Sequence, residues 1–375
     1  MDLSNKKLTK LEKNIFVSLF NLKYLNLENN KLTKIEGSVF VSLINLRYLN
    51  LENNLLSKIS FNGICKDVSI NLNSNCLKNI TIDSSIKLIL LYKNMPAVQF
   101  PIIRKNTIKD LKINVINSID KKLYSESIID LYSLSLNYSY QFVNIFYDET
   151  LYGLNKLTVV DFSNNKLLSF NNNLFCKLQN IKTINLSNNY IKSVNINNLF
   201  KLKSIDLSYN MITSFNILNC PKLKHVNLSC NCIFIFNETS HRYNYLNLSY
   251  NYLAEFSLIN NYIKELDLSY NKLMLLKITS NSLLNLNVKN NFLSYNYNIY
   301  CFNIRSLNMS NNLLKYIDKL TFSKLLYLNL ESNYLIISEK AFIYLIKLKY
   351  LNLKNNNIKQ FNIHLLTFIK KIDLL

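Results

Sequence analysis

Apolar and polar positions recur along this chain in one string, Leu-x-x-Leu-x-Leu-x-x-Asn-x-Leu, from near the first residue to near the last. It reads Leu22-Lys-Tyr-Leu25-Asn-Leu27-Glu-Asn-Asn30-Lys-Leu32 early on. In the second half it reads Ile263-Lys-Glu-Leu266-Asp-Leu268-Ser-Tyr-Asn271-Lys-Leu273. Leu-x-Leu is the alternation of a short strand with one face inward. The pattern therefore predicts that Leu25, Leu49, Ile184, Ile205, Leu246, Leu266, Leu307 and Leu351 stack in one buried column. The Asn ends each strand, and its side chain carries donors and acceptors suited to the turning backbone.

Registered on that Asn, the repeats fall at Asn30, Asn54, Asn75, Asn94, Asn165, Asn189, Asn210, Asn231, Asn251, Asn271, Asn291, Asn312, Asn333 and Asn356. The steps are 19–24 residues apart from one gap of 71, which is close to three steps. Ile108-Lys-Asp-Leu111-Lys-Ile113 and Leu131-Tyr-Ser-Leu134-Ser-Leu136 are the candidates for degenerate repeats inside it. The chain thus reads as one solenoid over 1–375, regular over about 1–95 and 157–375 and degenerate over about 96–156. Steps of 20–21 residues leave room only for extended or 3-10 segments opposite the strands. The longer steps carry Asn14–Leu22 and Ser38–Leu46, where a short helical turn is expected.

The period and the motif are those of leucine-rich repeats. Over nearly its whole length the sequence resembles the leucine-rich-repeat superfamily. The resemblance implies a horseshoe-shaped solenoid of the α/β type, with a concave parallel sheet, short convex segments and a role as a protein-interaction scaffold. The composition, rich in Asn, Ile, Lys, Tyr and Phe, is similar to that of repeat-gene families in large AT-rich DNA viruses, notably insect poxviruses. That likeness implies an intracellular protein acting on host factors.

The formal charge of +21 invites nucleic acid or an anionic surface as partner. Codon usage offers a second explanation, because lysine far outnumbers the four arginines. Seven dispersed cysteines without Cys-rich caps read as reduced, hence a cytoplasmic protein. Neither a signal segment nor an apolar run of membrane-spanning length is legible. Three scattered histidines, His225, His241 and His364, and only three glycines leave no zinc spacing, phosphate loop or nucleophile elbow. The expectation is a non-enzymatic chain without cofactor or metal.

Candidate contacts project from the strands. Between the last two leucines stands Asn or Asp in nearly every repeat, a polar ladder whose members are expected to bond one another. The residue after the first Leu is often basic, and Lys23, Arg47, Lys203, Lys224, Lys264, Arg305 and Lys349 would form a positive stripe. Tyr24, Tyr48, Tyr327 and Tyr350 follow that stripe near the two ends, while Tyr209, Tyr250 and Tyr270 precede the motif Asn in the middle, with Tyr245 nearby. Exposed tyrosines are favoured at interfaces. These fifteen residues are the expected partner-binding set on the concave face. The expected partner is a protein, with a salt-sensitive nucleic-acid or anionic-surface binder as the alternative.

Overall fold

The computed structural model describes residues 1–61, 63–64, 67–77, 154–169, 175, 178–237, 242–259, 262–295, 297–317, 320, 322–336, 339–342, 344–358 and 369–374. Between 78 and 153 it describes the backbone of the strands Asn79–Ile82, Ile86–Leu91, Ile102–Arg104, Ile108–Asn114 and Ser133–Asn137. The motif Asn94 and most of the degenerate stretch 96–156 lie outside the described residues.

Each repeat makes one turn of a parallel β-solenoid. Contacts divide the chain into two compact units, one of 1–191 with 195–202 and one of 192–194 with 203–375. In the first, Tyr24–Asn26 pairs in parallel with Tyr48–Asn50, and that strand with Val68–Asn71. The ladder continues through Ile86–Leu91, Ile108–Asn114, Ser133–Asn137, Val159–Asp161 and Thr183–Asn185. Both candidate degenerate segments are therefore rungs of the ladder, with Leu111 in register with Leu134. A second parallel ladder, Lys34–Ile35, Lys58–Phe61, Asn79–Ile82 and Ile102–Arg104, forms the opposite side of these turns.

The second unit repeats the arrangement. Its ladder runs Ser204–Asp206, His225–Asn227, Tyr245–Asn247, Glu265–Asp267, Asn285–Asn287, Ser306–Asn308, Tyr327–Asn329, Tyr350–Asn352 and Lys371–Asp373. On the opposite side, Glu255–Ile259, Leu275–Thr279 and Tyr297–Tyr300 form a three-stranded parallel sheet. These are the short steps, and extended chain is what their length permits. The wider steps use their extra residues for 3-10 turns at Gly37–Phe40 and Glu339–Phe342. The segment Asn14–Leu22 closes as successive tight turns, with Val17 N–H donating to Asn14 O at 3.2 Å and Leu19 N–H to Phe16 O at 3.0 Å.

The core is the expected column. Leu25, Leu49, Ile184, Ile205, Leu246, Leu266, Leu307 and Leu351 are all buried. No repeat could bury this face alone, so stability comes from stacking. The motif Asn side chains close the turns. Asn251 Nδ2 donates to Leu248 O and Ser249 O in its own turn and to Leu228 O in the preceding one, at 3.1, 3.2 and 2.9 Å. Its Oδ1 accepts from Ile233 N–H at 3.0 Å. The same set recurs at Asn231, Asn271, Asn291, Asn312 and Asn333. A buried amide that would otherwise cost free energy thus satisfies the backbone of two turns at once.

Candidate functional site

On the strand face the polar ladder is first a turn device. The Oδ1 of Asn26, Asn50, Asp161, Asn185, Asp206, Asn227, Asn247, Asp267, Asn287, Asn308, Asn329 and Asn352 accepts from the backbone N–H two residues on. This is the Asx pattern that starts the bend. Bonds along the row are added where a carboxylate is near. Asn227 donates to Asp206 at 3.2 Å and Asn287 to Asp267 at 3.0 Å.

The stripe residues Lys23, Arg47, Lys203, Lys264, Arg305 and Lys349 are exposed, and Lys224 is half-buried with its Nζ donating to Arg242 O at 3.0 Å. Within the first unit the structure brings four predicted residues together. Arg47 N–H donates to Lys23 O at 2.8 Å, and Tyr24 pairs with Tyr48 in register. The two rings stack with centroids 5.1 Å apart and planes 10° apart. Burial pushes the Tyr48 phenol above its ordinary pKa. Within the second unit, Tyr327 and Tyr350 are register neighbours, and Tyr327 N–H donates to Arg305 O at 3.0 Å. Tyr350 Oη donates to Asp373 at 2.9 Å. Burial raises this phenol too, and the same bond holds the Asp373 carboxyl below the usual range. Tyr245 has no tyrosine on either side of it in register, standing between His225 and Glu265.

Sequence reasoning missed the acidic partners of this face. Glu28 accepts from Asn50 Nδ2 at 3.1 Å, Glu52 from Asn71 at 2.9 Å and Glu331 from Asn352 at 3.1 Å. They occupy one motif position, two before the Asn, so aligning the repeats would have exposed them.

Tyr209, Tyr250 and Tyr270 lie elsewhere, on the corner where the chain leaves the strand. The residue before the motif Asn is left-handed throughout the described repeats, with φ between 51° and 57°. Asn, which tolerates this region, fills it at 29, 53, 164, 188, 290, 311 and 355. Four consecutive turns use Tyr209, Cys230, Tyr250 and Tyr270 instead. Tyr250 and Tyr270 stack with centroids 4.1 Å apart, and the hydrogen bond that the Tyr250 hydroxyl donates to Tyr270 raises the Tyr250 phenol. Tyr209 is 63% exposed. Tyr209→Asn is expected to stabilise the fold by up to about 1 kcal/mol, because asparagine adopts the left-handed region at less cost than tyrosine. Urea denaturation checks it, and a loss of stability would show that the ring itself holds the corner.

Among the described residues no three of His, Cys, Asp and Glu converge as a metal site needs. Burial pushes the Cys301 thiol up to about 11, which keeps it protonated and unreactive at neutral pH. Among the described residues no helix is long and apolar enough to cross a membrane.

Residues 1–56 match the sequence model of the leucine-rich repeat. The sequence matches no curated protein. Among solved structures, the chain is similar to a leucine-rich-repeat protein of Leptospira interrogans, with 19% identity and a TM-score of 0.55. The match covers 100% of this chain and 95% of that one. It is also similar to a chain of the Toll–Spätzle complex of Drosophila, with 15% identity and a TM-score of 0.53, covering 98% of this chain and 66% of that one. At these identities the likeness is one of fold, and the fold is that of leucine-rich repeats.

Proposed function

We propose, from the premise that this chain has the leucine-rich-repeat fold, that it is a non-enzymatic scaffold binding a protein through its strand face. The observation that carries the reading is the Tyr24–Tyr48 stack, flanked by Lys23 and Arg47 on one side and Glu28 and Glu52 on the other. Stacked tyrosines offer a large contact area whose ordering is already complete, which lowers the entropic cost of binding. Carboxylates held by Asn50 and Asn71 beside exposed cations suit the mixed charges of a protein surface. They suit a phosphate backbone poorly, because Glu28 and Glu52 would repel it. The same rim recurs at Arg305, Tyr327, Lys349 and Tyr350 beside Glu331. The Drosophila neighbour is a complex of two proteins, which agrees with this use of the fold.

The test is affinity purification with matched variants. Arg47→Glu with Tyr48→Ala is expected to abolish recovery of one discrete partner while leaving a folded circular-dichroism spectrum, with the melt lowered only by the loss of the half-buried Tyr48 ring and its stack on Tyr24. Recovery equal to wild type overturns the reading. Recovery of polyanion-associated material alone, lost at high salt, would favour the basic-binder alternative.

A further inference from the structure

The second unit carries an apolar strip on its corner that the strand-face reading does not use. It is formed by the positions one before, one after and three after each motif Asn, which flank the buried amide and its leucine. Met211, Phe234, Tyr252, Met274, Phe292 and Tyr334 stand at these positions and are each between 40% and 58% exposed. From Asn210 to Asn333 the strip spans seven turns, about 29 Å at the spacing of parallel strands. Phe234 and Tyr252 stack across neighbouring turns at 5.2 Å. At the same positions in the first unit Leu55, Leu168 and Tyr190 are exposed too, but Asn29, Lys31, Thr33, Asn53, Ser57 and Lys166 stand among them, so the apolar positions there form no comparable run.

Charge points to its occupant. Over those seven turns the three positions hold no carboxylate and two lysines, Lys272 and Lys315. Lys272 Nζ lies 4.9 Å from the centre of the Tyr252 ring, and Lys289 Nζ lies 5.9 Å from that of Tyr270. Cations set among exposed aromatic and thioether side chains match the boundary of an anionic bilayer, where rings sit at headgroup level and lysines meet lipid phosphates. The chain's charge of +21 opposes pairing of two copies along this strip and draws the molecule toward an anionic surface. Tyrosines kept in left-handed geometry where asparagine would serve better also argue for use over stability.

We infer that this strip is a peripheral docking surface for anionic lipid bilayers. It acts through a face separate from the one proposed to bind protein, so either reading can fail without the other. The probes are vesicles of phosphatidylcholine alone and of phosphatidylcholine with 30% phosphatidylserine, about the composition that gives a plasma-membrane-like surface potential. The full chain is expected to co-sediment with the anionic vesicles and weakly with the neutral ones. Phe234→Ser/Tyr252→Ser/Phe292→Ser is expected to cut the partition at least about tenfold, and Arg47→Glu/Tyr48→Ala far less. The chain contains no tryptophan. Phe292→Trp should therefore give a clean blue shift on adding anionic vesicles, and Tyr327→Trp on the strand face should not. No sedimentation overturns the inference. So does binding that the serine variant leaves intact, which would be charge attraction alone. Binding of a dT20 oligonucleotide that depends on the same three residues, without vesicle binding, would assign the strip to single-stranded nucleic acid instead.

Discussion

Asn251→Ala is expected to lower the unfolding free energy by about 3–5 kcal/mol, among the largest effects a single side chain can have in this molecule. The amide is 5% exposed. Removing it strips a hydrogen-bond donor from Leu228 O, Leu248 O and Ser249 O, and an acceptor from Ile233 N–H. Each buried backbone group left without a partner costs about 1–3 kcal/mol, offset in part by any water that enters. Asn251→Asp separates the two halves of this account. It keeps an oxygen for Ile233 N–H and turns the other oxygen on three carbonyls. Burial and those carbonyls disfavour the ionised form, so the folded-state pKa of the new carboxyl is raised above its unfolded value of about 3.9. Its stability relative to wild type should then be worst at neutral pH and recover as pH falls through the folded pKa, when the carboxyl regains a proton to donate. Urea titrations of the three proteins at pH 7 and pH 4 read both effects. A loss under about 1 kcal/mol for the alanine variant would mean that the asparagine column is dispensable.

What the sequence reveals of this fold is what its spacing encodes. The Leu-x-Leu alternation dictates that Leu25, Leu49 and Leu246 face inward, and they do. Step length dictates which turns have residues to spare for a 3-10 segment, as Gly37–Phe40 shows. The motif Asn is legible because a single residue type meets the demands of two backbones. Contacts between turns are less legible, because they depend on which side chains stand in register. The carboxylates of Glu28 and Glu52 belong to the site only because Asn50 and Asn71 come up beside them one turn later. The strand-face pair Tyr24 and Tyr48 was visible as a repeated position. The separate location of Tyr250 and Tyr270 was not, because the left-handed corner that holds them leaves no signature where tyrosine replaces asparagine. The division of the chain near residues 191–203 has no compositional marker either, since the repeats run through it at regular steps.

Phe40→Ala is the second large effect expected, at about 3–5 kcal/mol. Phe40 is fully buried, and its ring lies between those of Phe16 and Phe61, with centroids 6.2 Å and 6.5 Å away. Phe16 and Phe40 stand where the wider turns of the first unit place their extra residues, and Phe61, at the end of the strand Lys58–Phe61, continues the column in the next turn. Alanine would leave a cavity bounded by two rings that cannot close toward each other. The strands above and below are held at the ladder spacing by Tyr24↔Tyr48 and Tyr48↔Ser69 pairing. To the transfer term is added the loss of two aromatic contacts, about 0.5–1.5 kcal/mol each. Phe40→Leu keeps most of the volume and should cost clearly less, which distinguishes cavity formation from loss of ring geometry. In a stack whose turns touch only their neighbours, damage stays local. Hydrogen exchange should therefore show protection falling at Leu25, Leu27, Leu49 and Leu51 in the first unit. The amides of Leu246, Leu248, Leu266 and Leu268 in the second should hold theirs. Equal loss of protection in both units would show that the chain unfolds as a single cooperative body and that the local account of its stability is wrong.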